Sequence, residues 1–418
     1  MLDNTFHYRS GHLHCDSVRI ADIIAHTGTP VYIYSLKRAL ANYETIRAAF
    51  APLDARIHYS AKANGNLALL RALVAAGAGI DTVSGGEIYR ALHAGAAPGA
   101  IVFAGVGKTM AELFFAVDQN VGWFNIENVR EAELLNSIAS TARKRVRVAF
   151  RLNPNIQANT HKHIATGHGG AKFGLSADAI AGLFARQHEL SALRFEGLHV
   201  HIGSQLHDID ATVQAVRAAV TLAKTQPTVN TIDIGGGFPV AYHDSPDDTP
   251  DPLPTPAQFA AALAPELAGY AVVLEPGRAI IADAGILVTR VQYLKQQGDT
   301  QLAIVDAGMT EIMRPALYEA YHAIVPLVEA PLVDGSPPIQ IVGPVCETTD
   351  VLARDRHLPP LQPDDALAIM TAGAYGMVMA SNYNTRPRPP EVVVAADGES
   401  WRVARRRETW DDLIAHEV

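Results

Sequence analysis

The stretch "RIHYSAKANGN", Arg56 to Asn66, carries apolar residues on alternate positions, finishes on a lysine, Lys62, and passes at once into a small, turn-prone segment. The next run, "LALLRALVAAG", repeats its apolar residues at three and four, the spacing of one helix face. Strand, turn and helix therefore succeed each other within one short unit. Seven further strand-like runs continue the pattern: "GIDTVS", "AIVFAG", "GWFNIE", "RVRVAFRL", "RFEGLHVHI", "TIDIGG" and "YAVVLE". Helix-like stretches such as "GGEIYRALHAG", "TMAELFFAVDQN" and "ATVQAVRAAVTLAKT" lie between them. The alternation predicts a (β/α)8 TIM-type barrel over residues 30–283. A doubly wound open sheet is the alternative that periodicity leaves open.

From about Ile286 the texture changes to "ILVTRVQYL", "LAIVDAG", "IQIVGPV", "ALAIMTAG" and "EVVVAAD", short β-rich runs separated by turn residues. Residues 284–418 together with 1–29 are expected to form a second, all-β domain, a β-sandwich or β-barrel. The Pro- and Asp-rich "SPDDTPDPLPTP", Ser245 to Pro256, reads as an exposed loop between the seventh and eighth barrel strands.

Composition narrows the classes of function. The chain has 418 residues, 48% hydrophobic and 18% charged, as in a soluble globular protein. Its formal charge of −9 (34 basic against 43 acidic residues) argues against nucleic acid as a partner and for a small molecule. The amino terminus shows no basic region followed by an apolar run, and Ala91 to Gly107, the longest uncharged candidate span, is broken by Pro98. A cytoplasmic protein with no membrane association is expected. Cys15 and Cys346 are expected to be reduced thiols, and no compact metal-ligand spacing occurs among the 17 histidines, so no metal is expected.

In such a barrel, chemistry gathers at the carboxyl ends of the strands. The residues there are Lys62, Ser84, Glu127, Arg151, His201, Gly235-Gly236-Gly237 and Glu275. An amine at a barrel mouth can form a Schiff base with an aldehyde cofactor if its neutral form is accessible. Consecutive glycines in "IGGGFP" let backbone N–H groups approach a phosphate, and Ser204 in "HIGSQ" adds a hydroxyl. The flat ring of His201 could stack on an aromatic cofactor, and Glu275 could hold a ring nitrogen protonated. Together these describe pyridoxal 5′-phosphate. "GVGKT", Gly105 to Thr109, is no phosphate loop, because Val102 stands where the first glycine is needed.

A series of blocks then identifies a family: "HYSAKANGN", "DTVSGGE", "FAGVGKT", "RLNPN", "THKHIATG" with "KFGL", "HVHIGSQ", "DIGGGFP", "EPGR", "VDAGM", "MRPALY", "GPVCE", "TAGAYG" and "SNYNTRPRP". From about residue 30 to 390 the chain resembles the diaminopimelate decarboxylase family of the alanine-racemase-like (fold type III) pyridoxal-phosphate enzymes. The resemblance implies decarboxylation of meso-2,6-diaminopimelate to L-lysine and CO2, the last step of lysine biosynthesis. It implies that Lys62 forms the internal aldimine, that His201 stacks on the ring and that Glu275 pairs with its nitrogen. Ser204, Gly236, Gly237, Gly277 and Arg278 would hold the phosphate, and Tyr375 would contact the cofactor. Arg278, Arg314, Tyr318, Glu347 and Tyr375 match the family's substrate-binding positions. A substrate whose far end is another amino-acid group needs cations for its carboxylate and an anion for its ammonium. Cys346 would return a proton after CO2 leaves, where a free cysteine in general is a small buried hydrophobe. The resemblance also implies a homodimer with active sites shared across its interface. Departures from the family pattern are Ser60 in "HYSAK", Thr371 in "TAGAYG" and the surroundings of Arg314 in "GMTEIMRP". The rivals are a decarboxylase for another basic amino acid, a racemase, and a non-catalytic carrier of the cofactor.

Overall fold

The computed structural model describes residues 2–156, 172–242 and 253–418. The block "THKHIATG" and residues 245–252 of the Pro- and Asp-rich loop lie outside them.

All eight barrel runs form strands: Arg56–Ser60, Gly79–Thr82, Ile101–Phe103, Trp123–Ile126, Val146–Arg151, Leu193–His199, Thr231–Asp233 and Ala271–Leu274. Every neighbouring pair is parallel, and the last strand closes on the first through Val273–Arg56 and Leu274–Ile57. The open-sheet alternative is thereby removed. Helices between the strands start on residues that accept their orphan backbone N–H groups. Asn66 caps Leu67–Ala75, Ser84 caps Gly85–His93, Asn128 caps Val129–Thr141, and Thr109 forms a capping box with Glu112. Each such cap stabilises its helix by about 1 kcal/mol and fixes where the preceding strand-end loop must stop. Helix faces bury against the outside of the strands: Phe184 of Ala177–Ala185 meets Phe150 and Phe195 of two adjacent strands edge-on, at 5.6 and 5.2 Å. These buried rings contribute roughly 2–3 kcal/mol each and hold the cylinder rigid behind its strand ends.

The described residues of Met1–Ala41, Val240–Pro252 and Ile280–Val418 form a separate compact unit. Its main sheet runs in the order Val351–Arg356, Ile339–Val342, Thr300–Val305, Gly285–Gln297, Val31–Ser35, Glu391–Val394, Trp401–Arg405, with Ala366–Ile369 and Ile324–Pro326 attached beside Gly285–Gln297. The sheet is mixed, because Val31–Ser35 runs antiparallel to Gly285–Gln297 and parallel to Glu391–Val394. This alters the expected boundary at residue 30. "VYIYS" is buried at all five positions and must be a central strand with partners on both sides, whereas the barrel already closes without it. The first residues build their own antiparallel sheet, Phe6–Arg9, His12–Cys15 and Val18–Arg19. Its apolar side joins Ile20, Ile23, Val31 and Ile33 in one core.

Candidate active site

Lys62 sits in a single turn, Ala61–Ala63, that leaves the first barrel strand. The turn lies against the "EPGR" segment: Ser60 N–H donates to the Pro276 carbonyl at 3.0 Å. A Cβ on Gly277 would stand 2.9 Å from the Ala63 Cβ, so only glycine permits this approach. The amine of Lys62 is 3.3 Å from an oxygen of Asp81, and its side chain remains 37% exposed. Asp81, fully buried on the second strand, also accepts from the Ser60 hydroxyl. Ser60, a departure from the family pattern, thus finds its partner. Burial, then the Glu275 charge, raises the Asp81 carboxyl, while Lys62 pulls it down.

Glu275 follows the eighth strand and is buried among polar side chains from the neighbouring strands. Asn125 Nδ2 donates to its Oε1 at 2.8 Å and to Asp233 at 3.2 Å, while Trp123 Nε1–H donates to Asn125 Oδ1 at 2.9 Å. His199 Nε2 lies 3.5 Å from the other Glu275 oxygen. Burial by itself would raise the Glu275 carboxyl, but His199, Lys62 and a hydrogen bond from Asp233 hold it well below the usual carboxylate range. Asp233 moves the opposite way, pushed far up by burial and by the Glu275 charge. The two neighbouring carboxyls are thus driven apart, Asp233 upward by burial and Glu275, with His199 and Lys62 near it, downward.

His201 is held on the other side of the glycine run. Gly236 N–H donates to His201 Nδ1 at 3.3 Å, which leaves the ring proton on Nε2. Protein packed around the ring, then the charges of Arg151 and Lys62, push its pKa well below the usual imidazole value, so the ring is neutral. The glycines are there for closeness: a Cβ on Gly235 would stand 2.7 Å from His201 Nδ1, and one on Gly236 2.4 Å from the Glu275 carbonyl oxygen. Arg278 donates from Nε and Nη2 to the Ser204 hydroxyl, both at 3.2 Å.

Of the remaining strand-end residues, Ser84 is a helix cap and Glu127 pairs with Arg151 at 2.7 Å while accepting from Gly174 N–H of "KFGL" at 2.8 Å. "GVGKT" also has a structural task. Lys108, fully buried, donates to the carbonyls of Gly105 and Asn125 and to Glu131 at 2.6 Å, tying the third strand's exit to the fourth. The residues that sequence reasoning passed over are Asp81, Asn125, His199 and Asp233. Their signal was a polar residue inside an otherwise apolar strand of a barrel, as in "GIDT" and "TID", where burial demands a partner.

The other predicted residues belong to the second unit. Arg314 is buried, with its guanidinium 4.4 Å from the Tyr242 ring centre and Nη1 2.8 Å from His322 Nε2. Tyr318 closes the short helix Arg314–Tyr318, and Tyr375 takes a left-handed backbone at φ 56°, uncommon for a bulky residue. Cys346 and Glu347 are exposed on a loop clipped from two directions. Cys346 N–H donates to the Asn384 side chain at 3.2 Å, and the Tyr383 hydroxyl donates to Glu347 at 2.6 Å. Asp350 accepts from the backbone of Val345 at 2.7 Å and of Met309 at 2.6 Å, holding the loop's root. The small-buried-hydrophobe reading applies to Cys15, not to Cys346. Among the described residues no helix is long and apolar enough to cross a membrane.

The barrel residues fit pyridoxal phosphate on these observations. An accessible amine, an ionised buried carboxylate, a neutral imidazole and a glycine cradle that any Cβ would fill stand within one unit. The family model described as the pyridoxal-dependent decarboxylase pyridoxal-binding domain matches residues 36–282. A diaminopimelate decarboxylase of Aquifex aeolicus is 41% identical, with 97% of this chain and 96% of that protein covered. That of Pseudomonas aeruginosa is 40% identical, with 99% of each covered. The crystal structure of the Helicobacter pylori enzyme, complexed with L-lysine, superposes with a TM-score of 0.90 at 35% identity, covering 96% of this chain and 99% of that one. The likeness runs through both units at nearly full length, and by it the chain belongs to the diaminopimelate decarboxylases, a family of pyridoxal-phosphate-dependent enzymes.

Proposed function

We propose that the chain decarboxylates meso-2,6-diaminopimelate to L-lysine and CO2, the last step of lysine biosynthesis, with Lys62, His201, Glu275 and Cys346 as its catalytic residues. The observation that carries this assignment of roles is the buried Glu275, bonded by Asn125 at 2.8 Å and 3.5 Å from His199, in the same barrel as the Lys62 amine beside Asp81. When bound, pyridoxal phosphate supplies an electron sink for the bond to the departing carboxylate. Lys62 would anchor the cofactor, and Asp81, 3.3 Å from its amine, would steady the ammonium form that Lys62 takes when it is released. Glu275 keeps the ring nitrogen protonated, which favours loss of CO2 over the milder proton abstraction of a racemase. His201, neutral, offers a flat face for stacking. Ser204, Gly236, Gly237, Gly277 and Arg278 receive the phosphate, with Tyr375 alongside. Arg278, Arg314, Tyr318, Glu347 and Tyr375 bind the substrate, the arginines its carboxylate groups and Glu347 its far ammonium. Cys346 delivers the proton that replaces CO2.

The exposure of Cys346 and Glu347, with exposed Leu317, Val378 and Tyr383 on the same unit, supports a homodimer in which the loop serves the partner's site. Two free cysteines fit a reducing, cytoplasmic setting. The test is CO2 release with product identification, using pyridoxal phosphate and, separately, meso-diaminopimelate, L-lysine, L-ornithine and L-arginine. Lysine formed from diaminopimelate alone is expected. Turnover of another of these substrates with diaminopimelate inert would overturn the substrate assignment and leave fold and cofactor intact.

A further inference from the structure

Arg314 does not stand by itself in the second unit. Its Nη1 is 2.8 Å from His322 Nε2, and the opposite ring nitrogen, Nδ1, is 2.9 Å from the Met370 carbonyl oxygen. A carbonyl oxygen only accepts, so Nδ1 carries the proton. A guanidinium only donates, so Nε2 must present its lone pair. A single form of the ring, neutral with the proton on Nδ1, satisfies both contacts. The imidazole is fully buried and its backbone is fixed. The Arg356 guanidinium donates to the His322 carbonyl at 3.2 Å, and Met370 N–H donates to the next carbonyl, Ala323, at 2.8 Å, just before the ladder between Ile324–Pro326 and Ala366–Ile369. Tyr242 then packs against both partners, edge-on to His322 at 5.4 Å and under the guanidinium of Arg314 at 4.4 Å.

We infer that His322 is a positioning residue for the substrate's retained carboxylate: its sheet-anchored, neutral ring fixes the direction of the Arg314 guanidinium and so sets the preference for ligands that carry an amino-acid group at the far end. The inference rests on the assignment of Arg314 to that carboxylate. Arginine has four rotatable side-chain bonds, and a free guanidinium loses entropy on meeting an anion. A neutral acceptor on one terminal nitrogen lowers that cost without cancelling the positive charge that draws a carboxylate. An acidic partner in the place of His322 would compete with the substrate for the same charge. The aromatic face of Tyr242 adds attraction to the cation without offering a competing anion.

The experiment uses the pyridoxal-phosphate-loaded enzyme and two inhibitors that differ by one group, L-lysine, which keeps the carboxylate, and 1,5-diaminopentane, which lacks it. His322→Ala is expected to weaken L-lysine inhibition and raise KM for diaminopimelate by about tenfold or more, the size of a lost hydrogen bond to a charged group. Inhibition by 1,5-diaminopentane and kcat are expected to change less than about twofold. His322→Gln, whose amide oxygen can replace Nε2 as acceptor, is expected to recover most of the lysine affinity. Cofactor absorbance and thermal unfolding identify any variant that fails to fold, in which case the glutamine variant alone decides. Equal weakening of both inhibitors, or no change in either, overturns the positioning role. Arg314→Lys separates the two ideas: if it leaves L-lysine inhibition unchanged, the assignment of Arg314 to the carboxylate falls first.

Discussion

The barrel and the second unit treat their reactive groups in opposite ways. In the barrel, Asp81, Asn125, Asp233 and Glu275 are buried and held by groups of the same unit: Asp81 by Ser60 and Lys62, Asn125 between Asp233 and Glu275, and Asp233 by Gly235 N–H. In the second unit, Cys346 and Glu347 are exposed and are held chiefly through backbone N–H groups and one phenol. The difference comes from what each must do. A group that fixes a cofactor's charge has to be in one ionisation state before substrate arrives, and only a low-dielectric, fully partnered setting fixes it. A group proposed to move a proton must reach a reacting atom, and the Cys346 loop, held at its root by Asp350 with the thiol exposed, meets that need.

Substitutions can break this contrast, starting with the largest effect. Lys62→Ala is expected to lower kcat by about 10⁴-fold or more and to abolish the cofactor's bound absorbance, read by stopped assays and a spectrum. Cys346→Ala is expected to lower kcat by about 10²–10⁴-fold, the usual share of one proton donor, with cofactor binding intact as judged by the same spectrum. Asp233→Ala removes a buried group that bonds Asn125 and helps, after His199 and Lys62, to hold Glu275 charged. We expect about a 10–100-fold loss of activity together with a shifted cofactor absorbance, which a merely structural role would not produce. Gly236→Ala would drive a methyl to 2.4 Å from the Glu275 carbonyl oxygen, and its expected cost is about 1–3 kcal/mol in thermal unfolding plus weaker cofactor retention on dialysis.

The smallest effect sharpens the comparison from the second unit's own charges. Glu408 accepts from Arg388 Nε at 2.7 Å, from Asn382 at 2.8 Å and from Arg405 at 2.9 Å. Burial opposes its ionisation, but these bonds outweigh burial and bring its pKa to about 2. The folded value lies below the unfolded one of about 4.3, so the stabilisation is complete above pH 4.3 and is lost as pH falls towards 2. Glu408→Gln is expected to lower the unfolding midpoint at pH 7 and to flatten its fall across that window, because the stabilisation it removes is the one present above pH 4.3.

Much of this was legible in the chain. All eight barrel strands could be read because each is a short apolar run bounded by glycine or polar residues, and the helix after each of the first seven starts on a capping side chain. "VYIYS" was harder, because a five-residue run buried on both faces looks the same whether it opens a barrel or lies mid-sheet; only its partners, Gly285–Val288 and Glu391–Val394, decide. Lys62, Glu275 and the glycine triad stand out by position, at strand ends. Asp81, Asn125 and His199 do not, because their roles depend on which strands become neighbours around the cylinder. His322 was hidden for the same reason: its meaning lies in Met370 and Arg314, which the sequence separates from it by 48 and 8 positions.

The proposed contrast, a cofactor site built mainly from barrel residues and a thiol loop that serves a partner copy, is tested most directly by mixing two inactive variants. Lys62→Ala and Cys346→Ala proteins, dissociated together and reassociated at equal amounts, yield hybrid dimers with one intact site if Cys346 acts across the interface. Random pairing then restores about a quarter of wild-type activity per site. The account predicts that recovery; activity no higher than the sum of the separate variants would contradict it and place Cys346 in the site of its own chain.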